Sequence, residues 1–189
     1  MLLTKPASAK MSNINTRTLL FLNINLTILL YQIFEKLDDS QIIAAQVGQI
    51  FTLEPGITLE VLHPYSGYES LEPNEHSVVV KLSHGSNSLL LTGDVSKLVE
   101  QNLVNMYGEA LDVDIVKAGH HGSNTSTSQL FIETTTPDTA ILSYGCNNRF
   151  GHPHINVMTT LFTSNVDMLS TCDEGTITFE SDGVVWERK

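Results

Sequence analysis

Apolar residues recur along the chain with two different periods, and the switches between them mark its elements. Over 48–53 and 57–62 they fall near every second position around Glu54-Pro55-Gly56, which predicts a β-hairpin closed by a tight turn. Ile42-Ile43-Ala44-Ala45 predicts a short strand before it, and His63-Pro64-Tyr65-Ser66-Gly67 a turn after it. Residues 68–75 read as a polar loop. Residues 77–82 and 88–92 predict a second strand pair, joined by Ser83-His84-Gly85-Ser86-Asn87. The period then lengthens: Val95, Leu98, Val99, Leu103 and Met106 recur at spacings of three and four, the signature of a helix over 95–107.

A short buried strand over 112–117 stops at Gly119, and a helix over 128–134 opens on Ser and Thr caps. Residues 139–143 predict a strand and 155–164 a helix. From Ser170-Thr171 the chain leads into a closing hairpin, 176–180 and 184–187, around Ser181-Asp182-Gly183. Strands and helices alternate throughout, which places the fold in the layered α/β class. There is no internal repeat and no low-complexity tract.

Residues 1–30 follow a different pattern. Lys5, Lys10 and Arg17 precede or open an apolar run, 19–34, that Asn23, Asn25 and Gln32 interrupt. A basic start and apolar middle suit a secretory signal or anchor, but no small-residue cleavage site follows. The run is also shorter than the roughly 20 clean apolar residues of a membrane span. The competing reading is an element packed on the domain, or sequence outside the ancestral domain. Residues 1–30 therefore carry no assignment, and 31–189 read as one partial domain.

Composition sharpens this picture in two ways. With 41% apolar and 16% charged residues, the chain has the makings of a packed core. A net charge of −11, with only 10 Lys and Arg, argues against a basic face for non-specific nucleic-acid binding. A metal ion could still draw a phosphodiester locally. Cys146 and Cys172 belong to no C-x-x-C pair, which argues against a structural zinc knuckle. They are expected to be small core residues, with a disulfide as the alternative.

Three clusters carry chemistry, each where a predicted strand ends. Leu89-Leu90-Leu91-Thr92-Gly93-Asp94 delivers a carboxylate past a glycine; Asp94 could bridge metal ions, or cap the helix that follows. In Gly119-His120-His121-Gly122-Ser123 two imidazoles stand uncovered between glycines. Neutral imidazole is the commonest metal ligand, so one ring can bind metal while the other meets substrate. Ser123, Asn124, Thr125 and Ser126 add donors for an anion or caps for a helix. Cys146-Asn147-Asn148-Arg149-Phe150-Gly151-His152-Pro153-His154 gathers amides, imidazoles and a guanidinium suited to phosphate oxygens. The loop could equally serve only to start the next helix.

Taken together, the LLTGD strand end, the GHHGS turn and the N-x-x-GHPH loop resemble the metallo-β-lactamase-type domain of the ComEC-family DNA-uptake proteins. The resemblance extends over GQIFTLEPGITLEVLHP, Asn74-Glu75-His76-Ser77-Val78 and Thr171-Cys172-Asp173-Glu174-Gly175-Thr176-Ile177, roughly residues 31–187. It implies an αββα sandwich of which this chain is the second half, and a site holding zinc or manganese, often as a dinuclear pair. By that resemblance Asp94 is the bridging carboxylate and His121, in preference to His120, a metal ligand. His120 and His152 stand near the reacting group, while Ser123, Asn148 and Arg149 contact substrate. His76 stands where the family more often shows an amide, and is not assigned to metal.

The family's principal metal motif, H-x-H-x-D-H, is absent: His63, His76 and His84 lack its spacing, and Ile155-Asn156 follows His152-Pro153-His154. Two functions are therefore expected. In one, the chain is part of a metallohydrolase that acts on DNA or another phosphodiester by metal-activated hydroxide, with the missing ligands on a separate chain. In the other it is a truncated, non-catalytic half-domain that binds a partner or does nothing. Half a sandwich would expose a sheet face or edge, which predicts self-association. The resemblance also implies action at or outside the membrane.

Overall fold

The computed structural model describes residues 43–65, 70 and 72–189. The unassigned segment 1–30, the first residue of the strand expected at 42–45, and Ser66-Gly67 of the expected turn lie outside these residues. The α/β class is borne out. A seven-stranded sheet runs in sequence order: β1 (Ile50–Glu54), β2 (Ile57–His63), β3 (Val79–His84), β4 (Asn87–Leu91), β5 (Ile115–Lys117), β6 (Thr139–Leu142) and β7 (Asp167–Ser170). Pairing is antiparallel from β1 to β4 and parallel from β4 to β7. The change follows from the connections: tight turns join β1–β2 and β3–β4, while helical crossovers are needed between parallel strands. These are α1 (Lys97–Tyr107), α2 (Gln129–Thr135) and α3 (Ile155–Thr163); α4 (Thr171–Glu174) and the hairpin β8 (Phe179–Ser181) and β9 (Trp186–Arg188) follow. Among the described residues no helix is long and apolar enough to cross a membrane.

The helices share one face of the sheet. Val79, Leu90, Val116 and Ala140 meet Val99 and Leu103 of α1, Phe131 and Ile132 of α2 and Val157 and Leu161 of α3 in one core. Leu90 and Leu161 are both fully buried, so truncating either to Ala costs about 2–5 kcal/mol. Of the stripe that predicted α1, Leu98 and Met106 face solvent instead. On the opposite face, register aligns Leu59 with Leu82 and Leu89, then Leu91 with Lys117 and Ile141. The leucines and isoleucine of that face are only half-buried.

Three local expectations are corrected. Residues 43–46 form no strand, because the Gln49 amide bonds both the Gln46 N–H and Ala44 O and so turns the backbone. Within the expected polar loop, Pro73–His76 forms a 3-10 turn. The strand β7 was not foreseen, since Asp167 interrupts its short apolar run; it pairs with β6 at the sheet's edge.

Two carboxylates, Asp114 half-buried and Glu100 fully buried, lock the elements together. Asp114 accepts from the Ser88 N–H at 2.6 Å and the Trp186 indole at 3.1 Å, tying β4 to the closing hairpin. The tip of the β3–β4 turn docks on the same hairpin: Ser86 N–H donates to Gly183 O at 2.8 Å. Gly85, at φ 57°, must be glycine, because a Cβ there would lie 2.2 Å from Gly183 O. Glu100 of α1, fully buried, accepts from the Thr127 and Ser128 N–H groups at the start of α2. It thus takes the place of the Ser and Thr side-chain caps expected there, since Ser128 makes no side-chain cap bond.

Glu100→Ala leaves two inward N–H groups without acceptors and is expected to lower stability by about 2–4 kcal/mol in urea denaturation. Burial raises the Glu100 carboxyl above the usual carboxylate range, against the bonds from Ser128 and Thr127. Its contribution to stability is therefore complete below the ordinary carboxylate pKa and declines as pH rises through the raised value. Glu100→Gln removes that decline from the stability–pH curve.

Candidate functional site

The C-terminal ends of β4, β5 and β6 deliver the three chemical clusters to one place. After β4 the chain turns at Gly93, φ 58°, where a Cβ would lie 2.7 Å from Ser77 Cβ. Ser77 Oγ then accepts the Asp94 N–H at 3.1 Å. Asp94 is not the cap of α1: Ser96 is, accepting from Leu98 N–H at 3.2 Å, which leaves the Asp94 carboxylate for other work.

After β5 comes Gly119–Gly122, a turn in which His120 (φ 46°), His121 (φ 58°) and Gly122 (φ 83°) are all left-handed. Two successive non-glycine residues in that region cost on the order of 1 kcal/mol each, strain of the kind that gathers at functional sites. Its flanks allow no side chain, since a Cβ on Gly119 would meet Ser126 Cβ at 2.9 Å and one on Gly122 would meet Pro153 Cβ at 2.7 Å. The strained turn throws both rings outward. The His120 N–H donates to Gly93 O at 3.1 Å, so the first two clusters are joined through their backbones.

Hydrogen bonds then assign the rings. Nδ1 of His121 lies 2.7 Å from Ser143 O, a carbonyl that can only accept, so Nδ1 carries the proton. Its Nε2 faces Asp94 Oδ1 at 3.7 Å. A ring held at Nδ1 by a carbonyl and turned with Nε2 toward a carboxylate has the orientation of a metal-binding imidazole. His120 is engaged at both nitrogens, with Thr125 Oγ1 at 3.2 Å and the Asn74 amide at 3.4 Å. His154 accepts the Asn124 N–H at Nδ1 and therefore presents an Nε2–H donor. The His152 ring lies 5.8 Å from that of His120 and 5.0 Å from that of His154. Partial burial, then the neighbouring imidazoles of His154, His120 and His121, holds the His152 pKa below the ordinary histidine value.

The remaining candidates lie further from the reacting groups. Ser123 is buried, its hydroxyl bonded to Thr125 Oγ1 at 3.0 Å. Asn148 spends its amide inside its own loop: Nδ2 donates to Gly145 O and His152 O, and Oδ1 accepts from Phe150 and His152 N–H. Arg149 packs its guanidinium over the Phe150 ring, 5.0 Å from the centroid. Among the described residues no group of three or more His, Cys, Asp or Glu side chains can hold a metal ion. Asp94 and His121 make two ligands, whereas a catalytic zinc takes three from protein. The residues present do not complete a metal site.

Sequence reasoning placed His154 in a chemical cluster without giving it a role, assigned nothing to Asn74, Ser77 and the buried Lys117, and misplaced the cysteines. Cys146 and Cys172 form a disulfide, with Cys146 exposed, so they are not small core residues. Together with the bonds of Thr171 Oγ1 to Tyr144 N–H and Tyr144 O, the disulfide staples the base of the His152 loop to α4. Closing a loop of this length is worth about 3 kcal/mol. The double variant Cys146→Ser, Cys172→Ser should lose that much in denaturation. It should also shift the ring resonances of His152 in NMR while those of His121, held through Ser143, stay in place; an unmoved His152 would show that the staple does not place the loop.

No protein-family profile matches the chain. It is 41% identical over 106 residues to ComE operon protein 3 of Bacillus subtilis, covering 56% of this chain and 14% of that protein. It is 34% identical to competence protein ComA of Neisseria gonorrhoeae, over 66% of this chain and 18% of the relative. It is likewise 34% identical to recombination protein 2 of Haemophilus influenzae, over 67% and 16%. The matched stretches thus span less than a fifth of each of these curated relatives, and over them the chain is similar to bacterial competence proteins.

Proposed function

We propose that this chain is part of a competence-type machine for DNA uptake, and that its site is one half of a phosphodiester-processing centre. The observation that carries this reading is the His121 ring, fixed at Nδ1 by Ser143 O and turned with Nε2 toward Asp94. Similarity to proteins named for competence and recombination supports DNA as the substrate class. A metallo-β-lactamase-type domain and a zinc or manganese centre follow from the motif resemblance. The ligands beyond Asp94 and His121 belong, in this reading, to a segment outside these 189 residues that carries H-x-H-x-D-H. The disulfide supports maturation in an oxidising compartment, in keeping with a domain that works outside the cytoplasm.

What this chain contributes is orientation. The left-handed His120-His121 pair presents its rings side by side, and His152 and His154 bring two more imidazoles from the facing loop. The Nε2–H of His154 and the Asn74 amide offer donors to an anionic oxygen. A second reading, a non-catalytic half-domain, is favoured by the two-ligand count for the chain on its own.

Metal analysis after dialysis separates them. The isolated chain should retain less than one equivalent of zinc or manganese and should not cleave bis(p-nitrophenyl) phosphate. Mixed with a polypeptide bearing H-x-H-x-D-H, it should gain both, and His121→Ala should abolish the gain. Failure of every such mixture to bind metal would leave the non-catalytic reading in possession.

A further inference from the structure

Two lysines lie in the sheet, and they are treated in opposite ways. Lys81 of β3 sends its ammonium to the Ala110 and Asp112 carbonyls, both at 2.8 Å, a well-satisfied structural role. Lys117 ends β5 between Leu91 and Ile141, on the sheet face away from the helices. It is 5% exposed, yet its only hydrogen-bond acceptor among the described residues is Gly93 O, at 3.4 Å. An ammonium has three donors and no acceptor, and burying one without partners is costly. Two donors are unmatched; burial pushes the ammonium below the ordinary lysine range, and the Asp94 carboxylate works against that by favouring the charged form.

The position of this ammonium is specific. Gly93 O, which it touches, is the same atom that accepts the His120 N–H. Lys117 therefore sits where the Gly93-Asp94 turn and the Gly119–Gly122 turn meet. Nothing in the chemistry of β5 calls for a cation there, since Ile115 and Val116 before it are buried apolar residues.

We propose that Lys117 is the resident cation of the site: one N–H holds Gly93 O, and the other two take an oxygen of a bound phosphate-type anion. The inference rests on the phosphodiester reading above and adds to it an anion contact that needs no metal. A site with only two metal ligands of its own thereby keeps N–H donors for an anion, held in place by the stem of the side chain and by Gly93 O. The charge of Lys117 offsets that of Asp94, which would otherwise repel an anion from this corner.

The test is titration of the full chain with inorganic phosphate in EDTA-containing buffer, followed by calorimetry and by the ring resonances of His120 and His121. Wild type should bind. Lys117→Met should remain folded and weaken phosphate binding at least tenfold, Lys117→Arg should keep part of it, and Lys81→Met should destabilise without changing the affinity. Should Lys117→Met fail to fold, Lys117→Arg decides, because retained binding supports the proposal and lost binding overturns it. Equal phosphate affinity in wild type and Lys117→Met, or no binding by wild type, also overturns it. So does a Lys117→Met variant that binds phosphate normally but no longer joins an H-x-H-x-D-H polypeptide, since the lysine would then be receiving a partner's carboxylate. Hydrolysis by a metal-loaded mixture without phosphate binding in EDTA would sink the lysine's role and spare the proposed function; phosphate binding without hydrolysis in any mixture would do the reverse.

Discussion

The carbonyl of Gly93 is the point on which the site depends. It accepts the His120 N–H at 3.1 Å and the Lys117 ammonium at 3.4 Å, so a single oxygen joins the loops that leave β4 and β5. Parallel pairing of those strands, with Leu91 beside Lys117, brings their ends level and makes the contact possible. Gly93 must be free of a Cβ for the carbonyl to swing there, because Ser77 already fills the space behind it. Asp94 and His121 then face each other as a consequence of backbone geometry, before any side chain has chosen a rotamer.

A second constraint keeps this arrangement from relaxing. The consecutive left-handed residues His120 and His121 are held from several sides: Ser126 Oγ bonds Val95 O at 2.6 Å, His121 bonds Ser143 O, and His154 N–H bonds Gly122 O at 2.9 Å. Strain of this sort persists only where the surroundings over-determine it. The surroundings here include Glu100, whose carboxylate fixes the start of α2 just beyond the turn, and the disulfide, which fixes the loop that meets Gly122. The core is thus connected to the site through buried polar contacts as much as through apolar packing.

Much of this was legible in the sequence, for identifiable reasons. The hairpin of β1 and β2 was readable because alternation and Pro55-Gly56 agree, and α1, β5, α2, β6 and α3 because their apolar runs stand out, although β5 begins three residues later than expected and α2 is capped by a distant carboxylate. The prominence of Asp94, His120, His121 and His152 was readable because Gly-flanked polar residues at strand ends stand out locally. What stayed hidden depends on distance in space. Nothing in Cys146 and Cys172 announces their pairing, since β7, which carries one beside the other, is too short and too polar to be seen. The carboxylate that caps α2 sits far back in α1, and a reading of Ser128 and its neighbours has no access to it.

Lys117 shows the same limit from the other side. In the sequence it reads as the polar end of a short strand, the position where a lysine usually reaches solvent. Only the structure shows that it is buried, that its stem lies on the sheet face without helices, and that its ammonium ends against Gly93. Lys81, two strands away, shows that this fold can give a sheet lysine two close carbonyls when structure is all that is required. The contrast is what gives Lys117 meaning: a chain that binds the half-buried Lys81 ammonium to two carbonyls and leaves the buried Lys117 with two idle donors has kept those donors where an anion would arrive.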